Sequence, residues 1–150
     1  MATTLLLIQY ASQNIALFCC ALYAGAATYV SLVENPTMTE GGVELIDAYV
    51  LSSHPRPVIL QASFGVLGAA AGMLAGVAGG SLWWLAGGAL LALAAGVHVR
   101  VVMPLRRRCI DIDPGADRAA AAAEFAKLVK LHAALGLAGL ASLFIFIMAA

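Results

Sequence analysis

Apolar residues run in four long blocks, about Leu5 to Val33, Pro57 to Ala78, Leu82 to Met103 and Phe125 to Met148, with polar residues gathered between and beside them. A helix needs roughly 20 mostly apolar residues to cross a bilayer, and each block supplies about that length. Lipid leaves no partner for an open backbone, so blocks of this kind are expected to be helices that satisfy their own hydrogen bonds. The pattern predicts an all-α fold: a four-helix transmembrane bundle in a single integral membrane domain covering residues 1–150.

Composition agrees, with 63% hydrophobic and 11% charged residues, far from a typical soluble domain. The charges are also one-sided. Arg56, Arg100, Arg106, Arg107, Arg108, Arg118, Lys127 and Lys130 lie in or beside the connections after the first and third blocks, whereas Gly79 to Ser81 carries no charge. Positive residues favour the cytoplasm, so the expected topology puts both charged loops there and both termini outside. Met1 to Gln9 lacks the basic start of a secretory signal and is kept as part of helix one. A net charge of zero argues against a nucleic-acid partner, and Arg106 to Arg108 is read as a topology anchor.

The first charged connection has a pattern of its own. Thr37 and Glu40 have capping-box spacing, Gly41 and Gly42 interrupt, and Val43, Ile46, Tyr49 and Val50 then recur near helical spacing. This predicts a short interfacial helix lying on the membrane surface, followed by a turn at His54 to Pro57. In the second block Gly65, Gly68, Gly72 and Gly76, headed by Gln61, form a stripe that admits close helix contact. The short Gly79 to Ser81 connection makes the second and third helices an antiparallel pair, with Trp83 and Trp84 expected at the outer interface. Small residues this abundant also suit a homo-oligomer.

The chemistry-bearing residues are the polar ones inside the blocks. Glu34 continues the helix-one face of Tyr23, Ala27 and Val30, and His98 continues the helix-three face of Gly87, Leu91 and Ala94 or Ala95. His132 shares a helix-four face with Leu128 and Gly136. At 1.5 Å per residue, His98 lies roughly 7 to 8 Å inside one helix end and His132 roughly 10 Å inside another, so the two reach similar depth. Ionisable groups at membrane depth are costly and tend to face an interior cavity. Glu34, His98 and His132 are therefore expected to share a polar pocket near the cytoplasmic face.

Such a pocket suits general acid/base chemistry on a lipophilic phenolic or enolic substrate, with Arg100 as the cation that stabilises an oxyanion. Three other readings stay open. Glu34, His54, His98 and His132 can ligate iron, copper or zinc, two histidines on neighbouring helices can ligate haem, or the chain is a noncatalytic scaffold in membrane lipid. Cys19, Cys20 and Cys109 have neither a redox-pair nor a zinc spacing. Paired broken helices of the kind transporters use are not evident, and neither is a dinucleotide fingerprint.

Three segments, Ser-Leu-Val-Glu-Asn-Pro (31–36), Val-Met-Pro-Leu-Arg-Arg-Arg (102–108) and Lys-Leu-His-Ala-Ala-Leu-Gly-Leu (130–137), resemble the anthrone-oxygenase-like family of small four-helix membrane proteins in order and placement. The resemblance implies oxygenation of an activated aromatic carbon, as when an anthrone becomes an anthraquinone. Glu34 and His132 match the family pattern directly. The chain departs from it at Arg106, where members often have Asn, and at Leu135, where they often have Arg. His98 is not part of the pattern; its candidacy rests on its helix face.

Overall fold

The computed structural model describes residues 2–52, 56–111 and 117–150. Helix α1 (Ala2–Tyr29) runs through a π-helical turn, Val30–Glu34, into α2 (Asn35–Ser52), and α3 (Arg56–Val77) follows. Helix α4 (Leu82–Val97) runs through a second π turn, His98–Val102, into α5 (Met103–Asp111), and α6 (Arg118–Ala149) closes the chain. Among the described residues every regular element is helical. The fold is an all-α four-helix bundle, and four segments are long and apolar enough to cross a membrane: Ala2–Gly42, Val58–Val77, Leu82–Cys109 and Arg118–Ala149.

Helices α1 and α4 each pack on both α3 and α6, which sets α1 and α4 diagonally across the bundle. What holds the helices together is small-residue contact. The buried positions are dominated by Ala, Gly and Cys, while Phe18, Val77, Leu82, Leu137 and Met148 are exposed. A lipid-solvated bundle is expected to look this way, because tails are as apolar as Leu and close backbone approach supplies the attraction. The glycine stripe of α3 is the clearest case. A Cβ on Gly68 would lie 3.2 Å from the Cys20 backbone nitrogen on α1, and one on Gly72 would lie 2.6 Å from the Phe146 ring of α6.

Two boundaries differ from the sequence expectation, and both differences trace to proline. The first span continues past Val33 and the third past Met103. Proline lacks an N–H, and its ring clashes with the carbonyl four residues back in a regular α-helix. Here the chain widens just before it: the Asn35 N–H bonds the Val30 carbonyl ahead of Pro36, and the Met103 N–H bonds the His98 carbonyl ahead of Pro104. Each is a bond to the fifth residue back, so one extra residue is accommodated and the helix survives.

Thr37 is accordingly not the cap of a new helix. Its hydroxyl donates to the Val33 carbonyl at 2.7 Å, and Ser31 and Thr39 do the same to Ala27 and Asn35 at 2.8 Å, each satisfied on its own helix. The break instead falls at Gly42, with φ 76° and ψ −173°, a backbone conformation that favours glycine. Helical backbone resumes from 43 to 52. Of the predicted turn at His54 to Pro57, His54 and Pro55 lie outside the described residues. Helix α6 starts at Arg118, with the Asp117 carboxylate accepting from the Ala120 N–H at 2.9 Å as an N-cap.

At the uncharged end, Gly79 (φ 114°) turns the chain from α3 to α4. Trp83 is exposed there, as expected of an interfacial residue, but Trp84 is fully buried. It stacks on Phe146 with ring centres 5.0 Å apart, and its indole N–H donates to the Ala149 carbonyl at 3.2 Å. The expectation of a paired aromatic belt is thus corrected for Trp84, which ties α4 to the end of α6.

Candidate functional site

Both π turns open at the charged end of the bundle, and the site lies between them. A cavity of about 100 Å³ is walled by Val30 and Glu34 of the first π turn, Asn35 and Met38 of α2, Val58 and Gln61 of α3, Arg106 of α5, and Phe125, Leu128 and His132 of α6. Five helical segments converge there because the proline-widened helices carry on beyond the turns. Without the continuation past Pro104, Arg106 would belong to a loop.

The lining mixes a carboxylate, a guanidinium, an imidazole and two amides with apolar walls, the composition of a small-molecule site with a few orienting polar groups. Glu34 is half-buried, whereas Asn35, Gln61 and His132 are buried. Asn35 Nδ2, Gln61 Nε2 and His132 Nδ1 have no hydrogen-bond partner among the described residues. Buried polar atoms are satisfied in the great majority of cases, and leaving one unpaired costs about 1–3 kcal/mol. Unsatisfied donors and acceptors collected around a cavity mark a place built for a polar guest.

His98 is fully buried behind this cavity rather than in its wall. Its ring centre lies 6.3 Å from that of His132 and 6.3 Å from that of Tyr23, the latter pair edge to face. Both nitrogens of His98 and the Tyr23 hydroxyl also lack partners among the described residues. Tyr23 is held from two sides by missing side chains: a Cβ on Gly65 of α3 or on Gly139 of α6 would come within 3.0 Å of its ring.

The sequence-derived candidates therefore divide. Glu34 and His132 share the cavity, and His98 stands beside His132 at the same depth. Arg100 does not join them; it is exposed on the second π turn and outside the cavity lining. Two positions along the helix from His98, it faces the opposite side. The arginine in the wall is Arg106, which the sequence reading had made a topology anchor. His54 lies outside the described residues. Among the described residues no three of His, Cys, Asp and Glu gather as metal ligands, Glu34, His98 and His132 included.

Sequence reasoning missed Asn35, Gln61 and Tyr23 as site residues. Gln61 had a usable signal, since it is the one amide heading an otherwise small-residue stripe. Comparison of the chain with family models, curated proteins and solved structures finds no match in any of the three.

Proposed function

We propose that the chain is a membrane-embedded, oxygenase-like oxidoreductase acting on a lipophilic phenol or enol at the Glu34–Arg106–His132 cavity. The observation that carries this reading is that a carboxylate, an imidazole and a guanidinium line one apolar-walled cavity within membrane-spanning helices. The substrate reaches it laterally from the bilayer, and only its polar edge needs to enter a space of about 100 Å³. Glu34 or His132 takes a proton from the acidic C–H or O–H. Arg106 holds the oxyanion that results, a role its fixed charge and planar donors suit. Asn35 and Gln61 supply amide donors to the same edge.

Dioxygen then reacts with the electron-rich carbon. For a methylene between aromatic rings the balance is closed: CH2 becomes C=O, a four-electron oxidation, while one oxygen atom enters the product and the other leaves as water. No further reductant is consumed. The resemblance to the anthrone-oxygenase-like family supports this substrate class through Glu34 and His132. Positive residues at the site's end of the bundle support a cytoplasmic position for it.

The reading is tested by oxygen uptake of detergent-purified protein given an anthrone, with quinols and polyphenols alongside. Stoichiometric oxygen consumption and a quinone product are expected. Absence of uptake with every such substrate would reject it.

A further inference from the structure

Tyr23 and His98, neither of which the oxygenation reading requires, form a polar cluster with His132 of the cavity wall. Beyond it, toward the uncharged end, the interior is largely apolar, with Cys20, Leu91, Trp84 and Phe146, and the buried Ser142 hydroxyl there is spent on the Ala138 carbonyl. His98 has two unsatisfied nitrogens, and its ring centre lies 6.3 Å from those of two residues with unsatisfied atoms of their own, Tyr23 (hydroxyl) and His132 (Nδ1). A neutral imidazole donates through one nitrogen and accepts through the other. Tyr23 can take the first of these roles or the second, but not both.

We propose that His98 and His132 hold a single copper(I) ion between their rings, with Tyr23 orienting His98 from behind. Separation is the first argument. With metal–nitrogen bonds of about 2 Å and each nitrogen about 1 Å from its ring centre, an in-line imidazole–metal–imidazole unit spans roughly 6 Å, against 6.3 Å observed. Charge is the second. Burial of an ion in a low-dielectric interior is costly, that cost rises with the square of the charge, and the cluster itself contains no carboxylate, while the cavity that His132 also lines holds one carboxylate, Glu34, and one guanidinium, Arg106. A monocation is the metal species that needs least compensation.

Ligand number is the third argument. No third His, Cys, Asp or Glu joins the pair among the described residues; imidazole is among the ligands copper takes, and as a d¹⁰ monocation copper(I) accepts two ligands in line where zinc prefers four. The outer shell is also in place. Ligating histidines direct their second nitrogen to a hydrogen-bond partner that fixes the ring. Tyr23 is positioned for that by the two glycines that clasp its ring. The site begins at a π turn, an irregularity frequent at functional positions.

Copper bound through His132 Nδ1 would leave Glu34 as the proton acceptor of the neighbouring cavity. The copper site shares His132 with that cavity, but its test reads metal alone. Full-length protein in detergent is incubated anaerobically with copper(I), challenged with a chromophoric copper(I) chelator, and assayed for copper per chain and for its X-ray absorption spectrum.

One copper per chain, in a low-coordinate nitrogen environment, is the expected result. That stoichiometry is lost in His98→Gln and His132→Gln but kept when Cys19, Cys20 and Cys109 are all changed to Ala. Tyr23→Phe weakens retention by about 10–100-fold, the usual effect of removing an outer-shell partner. Failure to retain copper, or copper lost with the cysteines and kept without the histidines, overturns the proposal. If a histidine variant does not fold, the wild-type spectrum decides, because sulfur ligation overturns it as well.

Discussion

Pro36 and Pro104 stand in the same relation to their helices: each is two residues past the end of a five-residue π turn, Val30–Glu34 and His98–Val102 respectively. Glu34 ends the first turn and His98 begins the second. In both helices the residue of interest is set where the backbone is locally overfull, and the helix beyond the turn brings a further polar residue, Asn35 or Arg106, toward the cavity.

The second proline is therefore expected to set the register of α5. In Pro104→Ala the reason for widening is gone, and return to a regular α-helix would rotate everything beyond it by about 100°, one residue's turn. Arg106 would leave the cavity wall. The expected outcome is a large loss of oxygen uptake with little loss of thermal stability, read by comparing both in the same preparation. Unchanged uptake would mean that side-chain packing alone holds the π turn.

Arg106 and Arg100 make a matched pair. Arg106→Gln is expected to lower kcat/KM by about 10²–10³-fold, the range seen when one oxyanion-stabilising donor is removed. Arg100→Gln should leave it within a few-fold. Equal effects would show that these residues act through overall surface charge and not through the cavity.

Two sets of glycines separate packing from open space. A Cβ on Gly88 would meet the Met73 backbone nitrogen at 2.9 Å and the Ala69 carbonyl at 3.1 Å, whereas one on Gly25 or Gly96 meets nothing within 4 Å. Gly88→Ala should destabilise the bundle by about 1–3 kcal/mol, as overpacking does. Gly25→Ala and Gly96→Ala should be neutral or stabilising by up to about 1 kcal/mol from helix propensity. Unfolding titrations in detergent measure all three.

Trp84 should matter far more than its neighbour. Trp84→Ala removes a fully buried ring stacked on Phe146 and the bond to the Ala149 carbonyl, and is expected to cost about 3–5 kcal/mol. Trp83→Ala, at an exposed position, should cost little. The same titrations distinguish the two.

Much of the fold was legible because the bilayer constraint is severe: a long apolar block has few options other than a helix, and the faces of Tyr23–Ala27 on helix one and Leu91–His98 on helix three follow from helical period. The helix ends were not legible. The first and third blocks were read as ending at Val33 and Met103, where the apolar run stops, and nothing in the spacing signals that the chain carries its helix past Pro36 and Pro104 with a bond to the fifth residue back. Arg106 was misplaced for that reason. Trp84 was misread because adjacent tryptophans look alike in a sequence, whereas neighbouring helix positions face about 100° apart.

The central claim is that Glu34, Arg106 and His132 form one site that activates a lipophilic phenol or enol toward oxygen. Its most direct test is the oxygen-uptake rate of the wild-type protein and of Glu34→Gln with an anthrone, each normalised to folded protein. The account predicts steady uptake by the wild type and at least about a hundredfold loss in the variant, within the range removal of a general base brings. Equal rates in the two proteins, or no uptake by the wild type, would contradict it.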